Sequence, residues 1–66
     1  MRILVNGERV DCGEARTVDE LIQRHQLSPE TTLVEFNGRA LHRREWPTRL
    51  LQEGDRLEIL RVAAGG

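Results

Sequence analysis

Apolar residues near the start of the chain form two short runs that are separated by an Asn-Gly pair. Residues 2–5 are rich in strand formers, and Asn6-Gly7 is a strong signal for a two-residue hairpin turn. Residues 8–12 then alternate between polar and apolar side chains. The pattern predicts a β-hairpin with Leu4 pointing outward. The side chains expected on its inner face are Ile3, Val5, Val10 and Cys12.

A helical period replaces the alternation in the next segment. Thr17 and Glu20 have the spacing of a capping box, in which each side chain accepts a hydrogen bond from the backbone of the other residue. The apolar positions that follow predict a helix over residues 18–26. The residues expected on its buried face are Val18, Leu21, Ile22 and His25. Pro29 ends this segment, and residues 28–31 are predicted to form a loop.

The second half of the chain returns to a strand pattern around another Asn-Gly pair. Residues 32–36 are predicted to form a third strand, and Asn37-Gly38 a tight turn that leads into a short fourth strand over residues 39–41. The inward side chains of the third strand are expected to be Val34 and Phe36. Two hairpin signals therefore flank a single helix.

The last third of the chain begins with a polar segment and ends with a strand. Residues 42–47 are predicted to form an irregular loop or a single turn, anchored at the edge of the core by Trp46. Leu50 and Leu51 are both expected to return to the core. Residues 56–62 are predicted to form the final strand. Its apolar side chains are expected to divide between the faces, with Leu57 and Ile59 inward and Leu60 and Val62 outward.

This order of elements predicts an α+β fold, a mixed sheet of four to five strands with one main helix packed on one face. The crossover after the helix is expected to place the last strand parallel to the first. That arrangement is the ubiquitin-like β-grasp. It accounts for residues 1–62 as one domain, and leaves residues 63–66 as a flexible C-terminal tail.

The size and composition of the chain exclude several classes of function. With 66 residues, the chain has little room for an enclosed active site, which favours a carrier, a binding module or a subunit over a free-standing enzyme. Net charge is −1 and no basic stripe is present, which argues against nucleic-acid binding. No apolar run is long enough to span a membrane. A monomer is the default expectation for the isolated chain.

The cysteine and histidine residues bear on the expected cellular location and on metal binding. Cys12 is the single cysteine, so an internal disulfide cannot form and a reducing, cytoplasmic location is expected. Its place in the hairpin pattern predicts a buried, inert thiol. His25 and His42 have no partners at the spacing of a metal-ligand cluster, so no metal is expected.

The C-terminal residues are the candidate functional group. Gly65 and Gly66 lack a Cβ, so they pass through narrow clefts and leave a terminal carboxylate unhindered. Ala63 and Ala64 form a slim segment before them. Three apolar residues next to this end are expected to form a partner-docking patch, namely Leu60, Val62 and Leu4. A frayed terminus without chemistry remains the alternative.

These residues resemble the sulfur-carrier proteins of thiamine biosynthesis, the ThiS type. The resemblance spans nearly the whole chain and is carried by residues 1–6, 17–22, 34–37, 41–46, 54–55 and 64–66. The spacing of Arg43 and Trp46 ahead of Gly54-Asp55 and a terminal Gly-Gly favours the thiamine branch over related carriers. Those proteins commonly have proline before the arginine, where this chain has His42.

The resemblance implies a protein that carries sulfur as a co-substrate and is not itself an enzyme. The carboxylate of Gly66 is expected to be adenylated by an E1-like adenylyltransferase that uses ATP and magnesium, while the carrier binds no cofactor. Sulfur from a cysteine desulfurase system then converts the acyl adenylate to a thiocarboxylate. Thiazole synthase is the expected acceptor of that sulfur.

Other functions remain open at this point. The small subunit of molybdopterin synthase uses the same terminal chemistry, although it is typically longer and richer in phenylalanine than this chain with its single Phe36. A β-grasp interaction module would bind partners through a face and would not need Gly66. A protein modifier that is conjugated to lysines would share only the activation step.

Overall fold

The computed structural model describes residues 1–62, which form a five-stranded sheet and one α-helix. The strands are β1 (Arg2–Val5), β2 (Glu8–Asp11), β3 (Thr32–Phe36), β4 (Arg39–Leu41) and β5 (Arg56–Arg61), and the helix is α1 (Val18–Arg24). Two 3-10 helices cover Pro29–Thr31 and Arg43–Thr48. The predicted tail, residues 63–66, lies outside the described residues.

The strands follow the order β2-β1-β5-β3-β4, and the sheet is mixed. Strands β1 and β5 are parallel neighbours, whereas β1 pairs with β2, and β3 pairs with both β4 and β5, in the antiparallel sense. A parallel pair needs a long crossover connection, and here the crossover contains α1. The predicted β-grasp arrangement is therefore confirmed.

Helix α1 begins as predicted and ends two residues early. The Glu20 amide donates to Thr17 Oγ1 at 3.1 Å, and the Thr17 amide donates to Glu20 Oε1 at 3.2 Å. Gln26 adopts a left-handed conformation with φ of 57°, which ends the helix and turns Leu27 toward the core. His25 is therefore exposed at the helix end, and its predicted place on the buried face is wrong.

The core lies between α1 and one face of the sheet. Its buried apolar residues are Ile3, Cys12, Ala15, Val18, Leu21, Ile22, Val34, Leu41, Trp46, Leu51, Leu57 and Ile59. Val5 and Phe36 are half-buried at its margin, in the orientation that the alternation predicted.

Leu50 does not join Leu51 in the core, contrary to the prediction. Its side chain is 63% exposed, whereas that of Leu51 is 6% exposed. The backbone here is extended, with the Leu51 amide donating to the Arg16 carbonyl and an isolated bridge between Thr17 and Leu50. Successive side chains of an extended segment point to opposite sides, so only one of the two leucines can face inward.

The segment predicted as an irregular loop or single turn is a 3-10 helix, Arg43–Thr48. At its start the His42 amide donates to Glu45 Oε1 at 3.0 Å, and the Glu45 amide donates to the His42 carbonyl at 2.8 Å. Trp46 is 1% exposed, and its indole N–H donates to the Leu41 carbonyl at 3.4 Å. The predicted anchoring role of Trp46 is thus confirmed.

The Asn6 side chain extends the β1–β5 pairing beyond the end of β1. Asn6 occupies the left-handed turn position with φ of 52°. Its Nδ2 donates to the Ile59 carbonyl at 3.1 Å, and its Oδ1 accepts from the Ile59 amide at 2.7 Å. One asparagine therefore forms the hairpin turn and also satisfies both backbone groups of a residue on β5.

Replacing Asn6 by alanine is expected to lower the free energy of unfolding by about 2–3 kcal/mol, because two hydrogen bonds are lost and alanine disfavours a positive φ. Asn6→Gly accepts that φ and loses only the hydrogen bonds, so it should cost about 1–2 kcal/mol. Urea unfolding followed by circular dichroism measures both. An Asn6→Gly protein as stable as the unmodified chain would mean that the bonds to Ile59 contribute nothing.

Candidate functional site

The C-terminal end of the described chain leaves the sheet from a fixed position. Strand β5 pairs with β3 along the register Thr32–Phe36, and beyond its last residue the Val62 amide still donates to the Thr31 carbonyl at 2.8 Å. The strand was predicted to run to residue 62 and ends at Arg61. The candidate group itself, Ala63, Ala64, Gly65 and Gly66, lies outside the described residues.

The face of the sheet opposite α1 carries the apolar residues predicted for docking. Leu60 is 58% exposed and Val62 is 44% exposed, and both follow the outward alternation of β5. Leu4 is only half-buried, and in the register of the sheet it lies opposite Arg56, at the far end of β5 from Leu60. The structure brings Leu60 and Val62 together and leaves Leu4 apart from them.

Leu33 is a further member of this surface, and its part in docking was not predicted from the sequence. It lies directly opposite Leu60 in the β3–β5 register and is 55% exposed. The inward position of Val34 already implied that Leu33 points outward. Its pairing with Leu60 depends on strand order, which a local pattern does not contain.

Two acidic residues adjoin the leucine pair on the same face. Glu35 and Glu58 are also direct cross-strand partners, and both are exposed. Together with Leu33 and Leu60 they line a shallow groove of about 480 Å³, which also reaches Arg43. We call Leu33, Glu35, Glu58 and Leu60 the outer-face patch. This patch is half apolar and half acidic, and it lies on β3 and on β5, the strand that leads to the C-terminus.

The remaining chemistry-bearing side chains do not form a second site in residues 1–62. Cys12 is fully buried, and burial raises the pKa of its thiol, which disfavours the reactive thiolate. His25 and His42 are exposed, and this part of the chain holds no group of three or more residues suited to bind a metal ion. Within the same range, no helix is long and apolar enough to span a membrane.

Comparisons with known proteins agree with the fold and extend to the last residue. The model of the ThiS family matches residues 3–66. The sulfur carrier protein ThiS of Escherichia coli (strain K12) is 29% identical over 66 residues, which is 100% of both chains. The crystal structure of the thiamine biosynthesis protein (ThiS) from Geobacter metallireducens has a TM-score of 0.81 and 30% identity, covering 100% of each chain.

A second solved structure shows the same likeness. The NMR structure of a thiamine biosynthesis protein from Geobacter metallireducens has a TM-score of 0.79 and 33% identity, and the match covers 100% of this chain and 88% of that one. The similarity in both cases spans the whole fold, including the strand that leads to the C-terminus.

Proposed function

This chain belongs to the ThiS family, and on that premise we propose that it is a sulfur carrier of thiamine biosynthesis. The observation that carries the proposal is the extent of the family match, which runs through residue 66 and so includes the terminal Gly-Gly. A match confined to the folded part would support the fold and would say nothing about terminal chemistry. The Escherichia coli relative, described as a sulfur carrier protein, points the same way.

The carboxylate of Gly66 is the group that carries sulfur in this proposal. A carboxylate is a poor electrophile, so an E1-like adenylyltransferase first joins it to AMP with release of pyrophosphate from ATP. Magnesium neutralises the phosphate charge in that enzyme. The terminal sulfur of a persulfide from a cysteine desulfurase system then displaces AMP and forms an acyl disulfide with the carrier. A thiol attacks the persulfide-derived sulfur of the other partner in that S–S bond, which forms a new disulfide and releases the thiocarboxylate, and the thiocarboxylate delivers sulfur to thiazole synthase. The carrier acts as a co-substrate, and its partners catalyse each step.

The exposed apolar residues of β5 serve as the docking surface for these partners. Four residues follow Val62, so a partner that holds the Gly66 carboxylate in its active site comes within about 13 Å of Val62. Leu60 lies on β5 and Val62 directly follows it, both with exposed side chains, and Leu33 enlarges this apolar surface. Contiguous exposed apolar surface of this kind is typical of interaction sites. Leu4 lies opposite Arg56, at the other end of β5, so it is not part of this surface.

Intact mass spectrometry of the reconstituted system tests the proposal. The purified carrier is incubated with ATP, magnesium, the adenylating enzyme, a persulfide donor and a thiol reductant. A mass increase equal to one sulfur replacing one oxygen is expected, and fragmentation should place it on Gly66. Omission of ATP should prevent it, because the carboxylate is then not activated. A terminus that stays a plain carboxylate in the complete mixture would refute the carrier function.

A further inference from the structure

The outer-face patch contains a pair of like charges in direct opposition. Glu35 and Glu58 face each other across the antiparallel β3–β5 pair, where the Cα atoms of opposite residues lie about 4.5–5.5 Å apart. Like charges at such positions destabilise a sheet. The arrangement therefore costs stability in the isolated chain, and it needs a cation from elsewhere to become favourable.

The neighbouring strands supply no such cation. On β4, the residue opposite Glu35 is Ala40. On the other side, β1 has already ended at the level of Glu58, and the Asn6 side chain takes its place against Ile59. The one ion pair within residues 1–62 is between Glu45 and Arg49, which belong to a different part of the surface.

Two arginines near this pair, Arg56 and Arg43, form no ion pair with it within residues 1–62. Arg56 lies on the same strand and face as Glu58, two positions earlier, and makes no ion pair with it within residues 1–62. Arg43 lines the same groove and likewise makes no ion pair with either carboxylate within residues 1–62. Both carboxylates therefore stay exposed and unneutralised beside an apolar pair, within the described part of the chain.

We propose that Glu35 and Glu58 together bind an arginine of the adenylating enzyme, while Leu33 and Leu60 pack against apolar side chains next to that arginine. The inference rests on the proposed carrier function. A guanidinium group presents five N–H donors in a planar fork, which suits two adjacent carboxylates. Among the proposed partners we commit to the adenylating enzyme, because it acts first on the C-terminus that β5 leads to. The acidic pair lies on β5 and on its neighbour β3.

Charge also argues against a second copy of this chain on the same face. A symmetric dimer through the outer-face patch would bring four carboxylates into one interface, and like-charge juxtaposition opposes association. The acidic pair therefore favours a partner of opposite charge.

Charge reversal tests the inference. The double variant E35K/E58K is compared with E8K/E14K, which makes the same change in net charge at exposed residues outside the outer-face patch. The measurement is the rate of ATP–pyrophosphate exchange by the adenylating enzyme as a function of carrier concentration. E35K/E58K should raise the KM for the carrier by about 10- to 100-fold with kcat nearly unchanged, and E8K/E14K by less than about twofold.

The neutral variant E35Q/E58Q separates binding from folding. Relief of the like-charge contact should raise its melting temperature, whereas loss of the arginine contact should raise its KM and weaken the salt dependence of that KM. A KM for E35K/E58K equal to that of the unmodified chain or of E8K/E14K would overturn the inference. The inference would also be overturned if gel filtration showed that E35K/E58K changes the oligomeric state and that this change accounts for the higher KM. If the unmodified carrier supports no exchange at all, the proposed function fails, and the inference fails with it.

Discussion

A chain that lacks Gly66 is expected to lose adenylation and sulfur loading by at least about 100-fold while keeping its fold. Removing one residue withdraws the carboxylate by about 3.3–3.6 Å from the position at which the partner holds ATP. A misplacement of about 1 Å already costs about 100-fold in reactions that depend on orientation. The fold should persist, because the strand pairing that builds the sheet joins residues within the range 1–62.

ATP–pyrophosphate exchange and intact mass after sulfur loading measure the effect of this deletion. Ala63→Gly is the matched control, since it alters the same segment and leaves both its length and its terminal residue unchanged. That variant should retain most of the exchange activity. The melting temperatures of both proteins should equal that of the unmodified chain. Efficient loading of the shortened chain would show that the position of the carboxylate is not decisive, and would favour a module that acts only through its face.

Trp46→Ala is expected to lower the free energy of unfolding by about 3–5 kcal/mol. The side chain is the largest of the fully buried ones, and it anchors a 3-10 helix that packs against α1. The indole N–H also donates to the Leu41 carbonyl, and alanine leaves that buried acceptor without its partner. Because a domain of this size has only about 3–5 kcal/mol of stability, the variant should be largely unfolded at 37 °C.

Circular dichroism during urea and thermal unfolding measures this effect without relying on tryptophan fluorescence. Trp46→Phe keeps most of the buried volume and should be destabilised less than Trp46→Ala. Arg44→Ala changes an exposed position in the same 3-10 helix and should stay within about 0.5 kcal/mol of the unmodified chain. If Trp46→Ala unfolds at the same urea concentration as Arg44→Ala, the burial of the tryptophan does not hold this segment in place.

The elements whose positions were predicted correctly from the sequence are those with strong local signals. Thr17 and Glu20 form the predicted capping box, and both Asn-Gly pairs lie at positive φ as their turns require. The bounds of β3 and β4 were also predicted correctly. Each of these signals acts over a few residues, through steric limits on φ and hydrogen bonds between near neighbours, so it can be recognised without knowing the rest of the fold.

The residues of the candidate site could be predicted only in part from such local signals in the sequence. Alternation along β5 placed Leu60 and Val62 on the outer face, but it contained no information about what lies beside them. Leu33 was missed, and Leu4 was predicted to join residues from which the register separates it. The sequence did not show which of Leu50 and Leu51 is buried, because two adjacent apolar residues define no helical or strand periodicity.

Sequence alone therefore determined the order of strands and helix, the two turns and the start of the helix. It also contains the terminal Gly-Gly on which the carrier hypothesis depends. Tertiary structure decided which side chains meet across strands. It placed Leu33 against Leu60 and Glu35 against Glu58, and it brought Asn6 to Ile59, more than 50 residues away in the chain. The physical reason is the separation along the chain of the residues that interact. Turns and caps depend on neighbouring residues, whereas strand register depends on how the whole core packs.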